Sequence, residues 1–130
     1  MAKDNRGFRF ATETEIKNAT PGVAVQPSNL HDHPGMTKAW VAFNGAGTLA
    51  ILDSYNISSV TDAGTGQYTP NMAVGMASTS FGTLCVSNQR SCNVRPDLVW
   101  TSSSMRIETR DSGGVLADAD YVTVEFSGNQ

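Results

Sequence analysis

Short runs of alternating apolar and polar residues recur from residue 38 to the C-terminus, and glycine-containing turns separate them. In the last run, Val122, Val124 and Phe126 occupy every second position. Because a strand turns successive side chains to opposite faces, this period of two is typical of antiparallel sheets with one buried face. About seven such strands predict an all-β fold, an antiparallel β-sandwich or jelly-roll.

Few residues are available to build a core. Leu, Ile, Val and Phe total 26 of 130 residues, whereas Ser, Thr, Gly and Asn total 47. This composition favours strands and polar turns and excludes an all-α bundle, while the length fits one domain. A thin core leaves sheet faces that need a partner, so we expect a homotrimer in which the subunits bury these faces.

The charged residues argue against two kinds of partner. The net charge is −3, and nine cations scattered from Lys3 to Arg110 form no basic stripe for nucleic acid. The chain has no apolar run of the roughly eighteen residues that a membrane helix needs. Charged residues also occupy the N-terminal stretch where a signal peptide would be apolar. We expect neither membrane insertion nor conventional secretion.

Residues 1–37 differ from the rest of the chain, because they contain three of the five prolines and both histidines. Thr12, followed by Glu13 and Glu15, predicts a helix of one or two turns that Pro21-Gly22 would end. The sequence therefore divides into an N-terminal attachment arm, residues 1–37, and a β-sandwich head, residues 38–130.

The sequence predicts two further strands in the head. Leu49 to Ile57 keeps one apolar parity and predicts one long, half-buried strand. Gln67 to Ala73 predicts another strand, in which Pro70 indicates a bulge or a sheet edge because proline lacks the N–H that a ladder requires.

Two cysteines, Cys85 and Cys92, are too few for a disulfide scaffold or a four-ligand zinc site. The runs around them predict two strands of a hairpin joined by residues 88–91. In antiparallel register the thiols would lie close enough for a disulfide that forms once the protein leaves a reducing cytosol. The alternative is a pair of small buried thiols.

Side chains able to support catalysis are sparse. His31 and His33 are the residues that would act as a base near neutral pH, and both lie in the arm. Asp118 and Asp120 belong to the loop 116–120, whose sequence is not hydrophobic enough to raise a carboxyl pKa, so we interpret them as solvated turn residues. The sequence predicts no enzymatic activity and no catalytic cofactor.

His31 and His33 nevertheless allow one metal site. In extended backbone their imidazoles would point to the same side, and three chains around a threefold axis would supply six nitrogens to a transition metal. The alternative is an exposed turn in which Asp32 caps the local backbone.

Polar side chains between and beside the cysteines form a candidate receptor-binding loop, Asn88, Gln89, Arg90 and Asn93. Their amide and guanidinium groups match the hydroxyl groups of a glycan. The alternative is an ordinary hairpin tip.

The segment from Lys38 to Thr69 is similar to a stretch of tailed-phage and prophage fibre proteins. In both, K-A-W-V-x-F-[ND]-G is followed by G-T, by I-x-x-S-[YF]-N-[VI]-S-S-[IV] and by T-D-x-G-T-G-x-Y-T. The ending Asp118–Gly128 resembles the D-x-x-x-V-x-V-x-x-x-G ending of the same proteins, whereas residues 74–104 match loosely. In the arm, A-T-x-x-E and A-V-x-P resemble linkers that precede such heads.

This resemblance implies a trimeric, all-β virion appendage. Its arm, residues 1–37, would dock on another virion protein, and its head would meet a glycan or protein of the host surface. Family members often carry the domain at the end of a long fibre, whereas here a starting methionine lies 37 residues before Lys38. We therefore expect a short fibre or tail-tip component on the phage particle that mediates host attachment.

Two other functions compete with host attachment. A capsid or tail decoration, or a head fibre, would bind virion proteins alone. A glycan-degrading enzyme would require a longer chain with paired acids in a groove.

Overall fold

The computed structural model describes residues 10–18, 21–24, 30 and 33–130. These residues form one short helix and ten strands: α1 Glu13–Lys17, β1 Thr37–Asn44, β2 Ala50–Tyr55, β3 Ile57–Gly64, β4 Gln67–Met72, β5 Gly82–Ser87, β6 Ser91–Val94, β7 Trp100–Thr101, β8 Ser104–Met105, β9 Ile107–Arg110 and β10 Val122–Ser127. A bilayer-spanning helix is not found in these ranges.

Two antiparallel sheets pack face to face, which confirms the predicted all-β sandwich. The first sheet, called sheet A, has the strand order β2-β1-β10-β5. In the second, sheet B, β4 pairs with β3 on one side and with β8 and β9 on the other, while β6 and β7 lie beyond them. The alternation predicted for β10 is confirmed, since Val122, Val124 and Phe126 are fully buried.

The core between the sheets contains large side chains from both, among them Val41, Phe43, Val124, Phe126, Tyr68, Met105 and Ile107. Phe43 of sheet A meets Tyr68 of sheet B edge to face, with ring centroids 5.1 Å apart. Such aromatic pairs add to the burial of apolar area, so this contact fastens the two sheets together near one end of the sandwich.

The chain passes from sheet A to sheet B at Asn56, where φ is +54°. The Asn56 amide donates to the carbonyls of Lys38 and Val74 and accepts from the Val74 N–H, at 2.8 to 3.1 Å. Asparagine tolerates the left-handed region better than most residues. The single strand predicted from Leu49 to Ile57 is therefore wrong, because this corner interrupts it.

Pro70 is buried in β4, which is not an edge strand. It lies opposite Val60 of β3. On the other side of β4, the ladder pairs Tyr68 with β9 and Asn71 with β8, and Pro70 falls in the interval between these pairs. The absent N–H thus coincides with a break in the ladder. We predicted a bulge or a sheet edge for Pro70. The edge is wrong, and the ladder between β3 and β4 has no register shift at Pro70.

The described part of the arm contains α1, which begins where the sequence predicts. Thr12 caps the helix, and its hydroxyl and the Glu15 carboxylate satisfy each other's backbone N–H groups. Ile16 is buried. β1 begins at Thr37, one residue before the predicted start of the head. The division into an arm and a head stays a prediction, because much of residues 1–37 lies outside the described ranges.

The outer face of sheet B is covered by ion pairs and hydrogen bonds. Glu108 has a side chain that is only 3% exposed, and its carboxylate pairs with both Arg95 and Arg110. Burial alone would raise the pKa of Glu108, but the hydrogen bonds and charges of Arg110 and Arg95 outweigh it and lower that pKa. Beside this cluster, the Nε–H of Arg106 donates a hydrogen bond to the Thr69 hydroxyl at 2.7 Å. This face is therefore suited to solvent.

The outer face of sheet A is different, because large apolar side chains lie exposed on it. The strand register aligns two rows of side chains across this face: Leu84, Glu125, Trp40 and Tyr55 in one row, and Val86, Thr123, Ala42 and Asp53 in the other. Leu84 is 71% exposed and Val86 67% exposed. An apolar face of this kind is typical of a contact surface.

Candidate functional site

A polar cleft of about 220 Å³ lies at one end of the sandwich. Three segments form it, the β1–β2 loop, the β5–β6 loop and the stretch that leads into β10. Its lining residues are Ala46, Asn88, Gln89, Arg90, Asp118, Ala119 and Asp120. The cleft thus brings together three of the four residues of the predicted receptor-binding loop.

Asn93, the fourth residue of that loop, does not line the cleft. It belongs to β6 and pairs with Glu108 in the ladder between β6 and β9. Because Ile107 faces the core, its neighbour Glu108 and the residue opposite, Asn93, face the outside of sheet B. Asn93 is therefore separated from Asn88, Gln89 and Arg90 by its position in the fold.

The floor of the cleft is formed by Asp118, whose carboxylate is held by hydrogen bonds from residues beneath it. One carboxylate oxygen, Oδ1, accepts from the Gly66 N–H at 2.7 Å and from the Tyr68 hydroxyl at 3.1 Å. The same hydroxyl lies 3.1 Å from the Gly45 carbonyl oxygen. Burial raises the pKa of Tyr68 to about 12, and Asp118 contributes to this shift. The hydroxyl therefore remains a proton donor near neutral pH.

Two glycines allow the chain segments around this cluster to approach closely enough to form these hydrogen bonds. A Cβ atom on Gly45 would lie 2.4 Å from the buried Tyr68 ring. A Cβ atom on Gly66 would lie 2.5 Å from the carbonyl oxygen of Thr109, and Gly66 has a φ of +63°. Gly45, Gly66 and Tyr68 all belong to the fibre-like segment Lys38–Thr69, and Asp118 begins the fibre-like ending. The two separated parts of the resemblance thus meet at the floor of the cleft.

Our interpretation of Asp118 as a solvated turn residue is wrong. The side chain is partly buried and accepts two hydrogen bonds from other parts of the chain. Asp120 is exposed, as expected for a turn, but its carboxylate accepts a hydrogen bond from Asn88. Sequence reasoning missed Asp118 as a site residue.

One wall of the cleft is held in place by Asn88. Its side-chain oxygen accepts from the Tyr121 N–H, its backbone N–H donates to the Tyr121 carbonyl, both at 3.1 Å, and its amide nitrogen donates to Asp120. The next residue, Gln89, has a φ of +54°. Arg90 then reaches back and donates from Nε to the Asp118 carbonyl at 3.2 Å. The β5–β6 loop is therefore fastened to the segment before β10.

Several polar groups in the cleft remain available to a ligand. Among the described residues, the Gln89 amide, the Nη2 group of Arg90 and the second carboxylate oxygens of Asp118 and Asp120 have no hydrogen-bond partner. The cleft therefore offers both donors and acceptors.

Cys85 and Cys92 lie on strands of different sheets. β5 pairs with β10 in sheet A, whereas β6 pairs with β9 in sheet B, so the antiparallel register predicted between β5 and β6 is wrong. Both cysteines are free and pack against the core. A hydrogen bond between the thiols lowers the pKa of Cys85, and the same bond together with burial raises the pKa of Cys92.

We expect Cys85 and Cys92 to form a disulfide after exposure to oxygen, because both thiols face the core, from opposing sheets and from strands joined by a short loop. This bond would join sheet A to sheet B and close a short loop, which should add about 2 kcal/mol to the free energy of unfolding. Thiol labelling of the denatured protein measures the bond, with reduced protein as the control. Two free thiols per chain after oxidation would contradict the prediction.

The predicted metal site involves His31, which lies outside the described residues. His33 is described, and its Nδ1 atom accepts from the Gly35 N–H at 3.0 Å, which leaves Nε2 for a metal ion. Within the part of the chain that the structure describes, no three His, Cys, Asp or Glu residues are grouped around a possible metal position. The threefold metal site stays a prediction.

Comparison of the chain with protein-family profiles, with curated proteins and with solved structures found no match.

Proposed function

We propose that the protein is a non-enzymatic structural component of a phage particle, a short fibre or tail-tip protein that mediates attachment to the host surface. The observation that carries this proposal is the fibre-like segment from Lys38 to Thr69. Gly66 and Tyr68 of this segment donate hydrogen bonds to Asp118 of the fibre-like ending, and Asp118 lines a polar cleft.

The proposal assigns different roles to the head and to the arm. The head forms a homotrimer on the virion surface and presents three copies of the cleft. Multivalent binding turns weak individual contacts into firm attachment, which suits a particle that must recognise a dense cell surface. The arm, residues 1–37, attaches the trimer to another virion protein.

Binding of the purified trimer to cells that the phage infects tests this function. We expect saturable binding to these cells and little binding to resistant cells. A variant that lacks residues 1–36 keeps β1 and should bind the same cells, yet be absent from assembled particles. Incorporation into particles without any cell binding would instead identify a decoration or head-fibre protein. Loss of host polysaccharide length on incubation would contradict the non-enzymatic assignment.

A further inference from the structure

We infer that the cleft binds one ring of an uncharged sugar through its hydroxyl groups. This inference rests on the proposed attachment function, since it names the ligand that the cleft would recognise on a host surface.

The size of the cleft limits the ligand to a small molecule. Its volume of about 220 Å³ lies below the range of about 300–1,000 Å³ that is usual for pockets that enclose drug-sized ligands. A single six-membered ring fits such a space, whereas a peptide or an extended oligosaccharide would lie mostly outside it. The cleft would therefore recognise one residue of a longer glycan.

The polar groups in the cleft match hydroxyl groups in kind. A sugar hydroxyl donates one hydrogen bond and accepts others, so it needs neighbours of both types. Gln89 supplies a donor and an acceptor on one planar amide, the Arg90 guanidinium supplies donors, and the Asp120 carboxylate supplies an acceptor. Hydrogen bonds to these charged groups are stronger than those between neutral partners.

The charges of the cleft disfavour an acidic ligand. Asp118 and Asp120 carry two negative charges on its lining, and Arg90 carries one positive charge. The Asp118 carbonyl also accepts from Arg90, which draws the guanidinium toward the floor. A phosphate or a carboxylated sugar would meet net repulsion at short range, so a neutral ring is favoured.

The cleft is organised before a ligand arrives. Asn88 uses its amide to hold the β5–β6 loop against Asp120 and Tyr121, and the Asp118 cluster fixes the floor. Preorganisation lowers the entropic cost of binding. A few hydrogen bonds on one ring still give a dissociation constant of about 1 mM, which three copies on a trimer would strengthen through avidity.

The test is a nuclear magnetic resonance titration of the full-length, ¹⁵N-labelled protein. The probes are glucose, galactose, mannose, rhamnose and N-acetylglucosamine, with sialic acid and inorganic phosphate as anionic probes. We expect at least one neutral sugar to shift the amide signals of residues 88–90 and 118–120 with saturation in the millimolar range. The anionic probes should leave these signals unchanged.

Two variants locate the binding groups. Gln89→Gly removes the amide while accepting the positive φ, so the loop should keep its shape. Arg90→Ala removes the guanidinium. We expect each variant to weaken sugar binding at least about tenfold, which corresponds to the loss of one good hydrogen bond. Asn93→Ala is the matched control, because Asn93 is near in sequence but lies on the outer face of sheet B.

Three results would overturn the inference: no saturable shift with any neutral sugar, tighter binding of an anionic probe, or equal losses in Gln89→Gly and Asn93→Ala. The cell-binding assay separates this inference from the proposed function. If Gln89→Gly binds host cells as well as the unaltered protein, the sugar site is wrong and attachment stands. If sugar binds the cleft but the trimer does not bind cells, attachment is wrong and the sugar site stands.

Discussion

Replacing Gly66 with alanine is expected to lower the free energy of unfolding by about 3–5 kcal/mol, because two separate penalties combine. The residue has a φ of +63°, which costs an L-residue roughly 1–2 kcal/mol. The added Cβ would also lie 2.5 Å from the Thr109 carbonyl oxygen and 2.7 Å from the Ala117 nitrogen, both backbone atoms. The backbone of β9 and of the segment after it would have to move.

That movement would also disturb the floor of the cleft. The Gly66 N–H donates to Asp118 at 2.7 Å, and its carbonyl accepts from the Thr109 N–H at 2.8 Å. Buried groups that lose such partners add further cost. We therefore expect the Tyr68 hydroxyl and Asp118 to shift together with Gly66.

Gly47→Ala is the control that separates the two penalties. Gly47 has nearly the same φ, +68°, but a Cβ atom there would have no neighbour within 4 Å. The free energy of unfolding of the Gly47→Ala variant should fall by only about 1–2 kcal/mol, the cost of backbone strain. Urea denaturation of both variants measures the difference. Equal decreases in the free energy of unfolding of the two variants would contradict the steric penalty that we assign to Gly66.

The sequence predicts the parts of this fold in which each strand has one buried face. β10 is predictable because Val122, Val124 and Phe126 all point to the core and their neighbours do not. The pattern fails at Asn56, where a left-handed corner changes the sheet without interrupting the apolar parity. It also fails for β5 and β6, because strands joined by a short loop usually pair, and here the loop crosses between the sheets.

The sequence predicts one segment of the candidate site but not the residue beneath it. Asn88, Gln89 and Arg90 are recognisable as an exposed polar loop in the sequence. Asp118 is not, because its partners Gly66 and Tyr68 lie 52 and 50 residues away along the chain. No local pattern in the sequence marks such a long-range contact.

We expect the protein to form a homotrimer that dissociates when Leu84 and Val86 are both replaced with lysine. The two side chains are 71% and 67% exposed on the outer face of sheet A. They belong to β5, the terminal strand of sheet A, and within the described residues no further strand pairs with its outer edge. A subunit contact at this edge would cover both the apolar side chains and the unpaired backbone groups.

The position of Glu125 supports a contact at β5 rather than across the whole face. Glu125 lies between Leu84 and Trp40 in its row, is exposed, and accepts a hydrogen bond from the Thr37 hydroxyl. The free-energy cost of desolvating this carboxylate in the centre of an interface would exceed the gain from burying its apolar neighbours. A contact centred on Leu84 and Val86 leaves Glu125 at the rim, where water still reaches it.

Sedimentation equilibrium measures the effect of the two lysines. The unaltered protein should sediment at three times the chain mass of 13.8 kDa. In the variant, two ammonium groups would have to lose water in the interface, so we expect the dissociation constant to rise at least about a hundredfold and monomers to dominate at micromolar concentration. Val115→Lys is the matched control, since Val115 is 63% exposed but lies in the turn that follows β9 of sheet B. A monomeric unaltered protein would contradict the trimer itself, whereas a trimeric double variant would place the subunit contact on another surface.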